Sequence, residues 1–144
     1  MQLSLPRCPT CIVGTVARAS LGLSLLFVGL VHYMTFESFV GMVSEDLGAL
    51  TMLGVLWAYL LPALMIVGGA LLVLGMFPEV ATWAAAVAIG SIPAGMLLKS
   101  VLAGVPLSNT MPAAINAIIW LIALILVVKL LKCCCSDEEC CTKK

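Results

Sequence analysis

Four long runs of apolar residues, broken only by short polar or charged stretches, dominate the pattern along this chain. They extend from about Ala19 to Phe36, from Met52 to Phe77, from Val80 to Ala103 and from Met111 to Leu131. A helix of about 20 apolar residues crosses the roughly 30 Å hydrocarbon core of a bilayer, so each run is long enough for one span. Between the first two runs the period changes. Phe36, Phe39, Val40, Val43, Leu47 and Leu50 recur at helical spacing, while Glu37, Ser38, Ser44, Glu45 and Asp46 fill the opposite side. That alternation predicts an amphipathic helix lying at the membrane surface. The expected architecture is an all-α polytopic membrane protein, a bundle of four transmembrane helices with a short interfacial helix after the first span.

Small residues set the faces of these helices, because helices in lipid associate by close packing of backbones. Gly22, Leu25, Gly29, His32 and Phe36 form one stripe on the first span, which points the chain's only histidine into the bundle. Gly54, Ala58, Leu61, Met65, Gly68, Leu72 and Gly75 form a second stripe, and Ala84, Ala85, Ala86, Ala88, Gly90, Ser91, Ala94 and Gly95 make the third span small almost throughout. The pattern predicts a tight bundle. Pro62 and Pro93 interrupt the second and third spans and release the carbonyls of Ala58 and Ile89; a structural kink is the plain expectation, a cavity the sharper one. Trp57, Tyr59 and Trp83 lie near span ends and suit an aromatic belt, whereas Trp120 lies deeper and is expected to pack or to face acyl chains.

Composition agrees with the membrane assignment. Of 144 residues 63% are hydrophobic and 10% charged, and the mean hydropathy is +1.23. Seven Lys and Arg balance seven Asp and Glu, which removes the electrostatic case for a nucleic-acid partner. Arg7, Arg18, Lys129, Lys132, Lys143 and Lys144 lie toward the chain ends and only Lys99 elsewhere. With four spans, the positive-inside rule then predicts both termini in the cytoplasm and an uncleaved first helix. The expected organisation is an N-terminal segment 1–15, a bundle 16–131 and a polar tail 132–144.

The stretches "RASLGLSLLFVGLVHYMTFESFVGMV" and "MIVGGALLVLGMF" resemble the first and second spans of the DoxX family, four-helix membrane proteins with an interfacial segment after the first span. The resemblance covers residues 16 to 103; the fourth span matches in hydrophobicity alone. It implies a small integral-membrane accessory subunit of a quinone-linked redox assembly, working with other membrane subunits or by self-association. This chain departs from the family pattern where His32 stands in place of a common Lys, Met65 in place of an acidic residue before the paired glycines, and Glu79 in place of a basic residue after the second span.

Two groups of residues carry candidate chemistry. Helix geometry gathers His32, Tyr33, Lys99 and Asn109 toward the outer end of the bundle, with Asn116 about 10 Å deeper on the fourth span. Ionisable groups in a membrane point by default to function; near a quinone headgroup His32 would donate a hydrogen bond or exchange a proton. The bland alternatives are interface capping by His32 and Tyr33, a Lys99 that snorkels outward, and an Asn116 that bonds to a neighbouring helix. The second group is the seven cysteines: Cys8 and Cys11 in "CPTC", then Cys133, Cys134, Cys135, Cys140 and Cys141 in "CCCSDEECC". In a shared reducing compartment they are expected to be thiols rather than structural disulfides. Three uses remain open: a soft metal site for zinc or copper(I), acylation of Cys133 to Cys135, and thiol redox by Cys8 and Cys11. One histidine excludes a bis-histidine haem site within the chain, and no nucleophile and base pair, phosphate loop or dinucleotide fingerprint is present. Besides the accessory subunit, a metal- or thiol-handling membrane protein and a small transporter are the alternatives.

Overall fold

The computed structural model describes residues 9–44 and 48–136, with side chains from 10 to 132. Five α-helices follow one another among them: α1 Pro9–Met34, α2 Phe36–Ser44, α3 Thr51–Leu74, α4 Pro78–Leu102 and α5 Leu107–Ser136, with a 3-10 turn Gly48–Leu50 before α3. Helices α1, α3, α4 and α5 are the four candidate spans. They run up and down in chain order, each packed on the next, and α5 closes the ring against α1 over a smaller contact. The exposed surface of all four is lined with large apolar side chains, as contact with acyl chains requires.

Three boundaries differ from the sequence reading. Helix α1 begins at Pro9, well before Ala19, and α5 continues to Ser136, past Leu131. Gly14 lies against Leu130 and Leu131, so the added first turns of α1 pack on the end of the expected α5 span, a long-range pairing that a hydropathy window does not see. The amphipathic helix stops at Ser44, and Leu50 belongs to the 3-10 turn; Leu47 lies outside the described residues. Thr35 alone separates α1 from α2, its amide bonded to Val31 O and its carbonyl to Phe39 N, each at 3.0 Å.

Helix α3 is the centre of the packing, and adjacent glycines make it so. A Cβ on Gly69 would lie 2.6 Å from the Gly22 carbonyl oxygen, and one on Gly22 would lie 2.7 Å from the Gly69 carbonyl oxygen. Gly68, turned about 100° around the same helix, meets α4 instead, with Ala85 N 2.9 Å from its would-be Cβ. Gly29 packs in the same manner near Pro62 O. The stripes read from the sequence are therefore buried: Gly22, Leu25 and Gly29 on α1, and Gly54 through Leu72 on α3. Gly75 is exposed and plays another part. It ends α3 at φ 69°, and its amide returns to Leu71 O at 2.9 Å, a left-handed cap that glycine adopts without a Cβ penalty.

The C-terminal half of α4 departs from the expected tight bundle. Gly90 and Gly95 have nothing within 4 Å of a would-be Cβ, and Ala94 and Gly95 are exposed. Small residues draw helices together only where a neighbour offers a matching surface; here the α4 surface is left open. At the same end Ser100 Oγ and Thr110 Oγ1 lie 2.6 Å apart and tie α4 to α5.

Candidate functional site

The gap left by α4 is a cavity of about 600 Å³ at the end of the bundle that carries α2. Phe39, Met42 and Val43 of α2 line it on one side, Leu53, Trp57 and Leu61 of α3 on another, and Ile92, Gly95 and Met96 of α4 on a third. Beyond Thr35, α2 packs on α3 with Phe39, Met42 and Val43 turned onto the cavity, and Glu37 and Ser38 are left exposed. The amphipathic helix thus covers a space rather than only resting on a lipid surface.

Among the described residues, the polar side chains that reach this largely apolar wall are His32, Ser91 and Lys99. Ser91 spends its hydroxyl on Ala88 O at 2.8 Å within its own helix. His32 is half-buried, and its Nδ1 lies 2.6 Å from Val28 O. A carbonyl only accepts, so Nδ1 carries a proton, and Nε2 makes no hydrogen bond among the described residues. Phe39 packs near-perpendicular against the imidazole, with ring centroids 4.3 Å apart at 82°. Lys99 is half-buried and donates from Nζ to Met42 O at 2.5 Å. It ties α4 to α2 rather than reaching outward on its own, and no ion pair forms among the described residues. The cavity can therefore offer a cationic donor and an imidazole to a molecule that is otherwise apolar.

Of the five bundle residues singled out in the sequence, the structure brings His32 and Lys99 together at this cavity. Tyr33 faces away from it: its hydroxyl donates to Tyr59 O at 2.9 Å, and Phe36 packs against both tyrosine rings. Asn109 is exposed near the start of α5, beside Ser108 Oγ. Asn116 is exposed on the flank of α5 and does not line the cavity. Trp57, Gly95 and the α2 residues were not read as site residues. The signal available was Gly90, Pro93 and Gly95 within six residues of α4, a run poor in side-chain volume beside a broken helix hydrogen bond.

The cysteine group lies largely outside the described residues: Cys8, Cys140 and Cys141 are not described, nor are the side chains of Cys133, Cys134 and Cys135. Cys11 is half-buried and disulfide-bonded, which differs from the thiol expected of a reducing compartment. Among the described residues no cluster of three or more His, Cys, Asp or Glu forms a metal site. At this end Arg18, which the sequence offered only as an orientation marker, lays its guanidinium against Gly75, and its Nε is buried without a hydrogen bond.

Four apolar helices long enough to cross a bilayer, closed into a ring with an apolar exterior, define an integral, multi-pass membrane protein. Comparison with protein-family models, curated proteins and solved structures gives no match to the chain.

Proposed function

We propose that this protein is a DoxX-like accessory subunit of a membrane redox assembly that holds a quinone-type molecule in the α2-covered cavity. The observation that carries this reading is the pairing of a large apolar cavity with His32 and Lys99 as the titratable groups on its wall among the described residues. Ligand sites are mostly apolar concavities with a few placed polar groups. A quinone headgroup has two carbonyl oxygens that accept hydrogen bonds, which suits the Lys99 ammonium and, when protonated, the His32 imidazolium; the apolar tail extends along the bundle toward lipid. The chain contributes binding and orientation, and electron transfer belongs to its partners. Placing both termini in the cytoplasm puts this cavity toward the outer leaflet.

Trp57 on the cavity wall supplies the test. In lipid nanodiscs, with Trp83 and Trp120 replaced by Phe, a short-chain quinone should quench Trp57 emission saturably. His32→Leu should raise the apparent Kd by about tenfold, the loss of one charge-assisted hydrogen bond. Quenching that rises linearly without saturating, or that His32→Leu leaves unchanged, rejects the quinone site.

The disulfide at Cys11 favours a second reading, thiol and disulfide exchange at the chain ends. Serine replacement of the five tail cysteines distinguishes the two: it should abolish thiol turnover under the second reading and leave quinone binding intact under the first.

A further inference from the structure

Helix α5 turns a polar group outward where lipid would otherwise lie. Asn116 is exposed about 14 Å along the helix from Leu107, well inside a span of Leu107–Lys132. Its carboxamide forms no hydrogen bond among the described residues. An acyl chain offers neither donor nor acceptor, so an amide facing lipid keeps its desolvation cost unrelieved. One turn further, on the same flank of α5, a groove of about 320 Å³ opens between α5 and α1, walled by Trp120 and Ala123 on one side and by Ser20 and Ser24 on the other. Neither serine hydroxyl has a hydrogen bond among the described residues either. The flank therefore combines space, small side chains and unpaired polar groups at membrane depth.

We infer that this flank is the interface for a second copy of the chain, paired about a two-fold axis beside Asn116. Two copies inserted in the same direction can be related only by an axis along the membrane normal, so identical residues meet at identical depth. Few side chains can pair with themselves at such an axis. A carboxamide can: its NH₂ donates to the partner copy's carbonyl while its own carbonyl accepts in return. The interface is isologous, and close approach of the two α5 helices is permitted by Ala123 and by the serine-lined groove. The cavity on the α2 side is not involved, so this inference does not rest on the quinone reading.

The test is stoichiometry in dilute bilayers, read by counting photobleaching steps of the full chain carrying one N-terminal fluorophore. Wild type should be dimeric, Asn116→Leu should dissociate roughly tenfold more readily, the scale of a reciprocal pair of interhelical hydrogen bonds, and Asn116→Gln should retain the dimer. Because Asn116 is exposed, the leucine variant should keep its helicity, which circular dichroism checks. A wild type that is monomeric at every dilution overturns the inference and leaves the flank to a different subunit. A dimer that Asn116→Leu does not weaken overturns it as well, since the two copies then meet elsewhere.

Discussion

Gly69 in α3 and Gly95 in α4 both stand in apolar helices among other small residues, yet a Cβ on the first would lie 2.6 Å from the Gly22 carbonyl oxygen while one on the second would meet nothing within 4 Å. The two positions separate the bundle into a half where α1, α3 and α4 touch backbone to backbone and a half where α4 stands away from its neighbours under α2. A small residue permits close approach without compelling it. Whether the approach occurs depends on the facing helix, and beside the later turns of α4 the α2 side chains Phe39 and Met42 line the cavity instead of closing it.

The largest expected effect tests this division directly. Gly69→Ala should destabilise the bundle by about 1–3 kcal/mol, the usual cost of forcing a methyl group into a filled contact, because the obstructing atoms belong to the α1 backbone and cannot swing aside. Gly90→Ala should be neutral or stabilising by up to ~1 kcal/mol, since it adds helix propensity with no clash. Denaturation by increasing mole fraction of SDS, followed by circular dichroism, gives both values. If the two substitutions shifted the midpoint in the same direction by similar amounts, the packed and open halves would not be distinct.

A smaller effect on stability but a larger one on occupancy is expected at Gly95. Leucine there should fill part of the 600 Å³ cavity while the midpoint of unfolding moves by less than about 1 kcal/mol, because the side chain enters open space. Saturable quenching of Trp57 by a short-chain quinone should disappear. Retained binding would place the ligand elsewhere in the bundle.

The sequence made the helices legible because hydrophobic length and the spacing of glycines are local properties. The stripe through Gly22, Gly29 and His32 could be read from period alone, and so could the face of α3 from Gly54 to Leu72. The cavity was not legible in the same way. Its existence depends on the distance between α4 and α2, which no single-helix pattern encodes, and the small residues at Gly90 and Gly95 read identically to those that pack. The same limit explains the site residues. His32 and Lys99 converge because α2 packs on α3 and brings Met42 O to Lys99; Asn116 diverges because its rotation around α5 is fixed by the burial of Ala114, Ala117 and Leu124, a face that a uniformly apolar helix does not reveal.

The last comparison is between α2 and the spans it crosses, and Lys99 is the residue that joins them. Its ammonium donates to the carbonyl of Met42 near the end of α2, where a backbone acceptor of the final turn has no partner within the helix. The remaining hold on α2 is apolar, chiefly the burial of Phe39. Lys99→Met keeps the length and apolar stem of the side chain but removes the donor. Since Lys99 is half-exposed, water replaces part of the lost bond, and the net cost should be about 1 kcal/mol rather than the larger value of a buried charge-assisted bond. All of that cost falls on the opening of α2, so amide exchange should accelerate roughly fivefold in α2, while the amides of α3 around Gly68 and Gly69 exchange at the wild-type rate. Uniform acceleration across both helices would mean that α2 unfolds only with the whole bundle, and that the cavity has no separately movable cover.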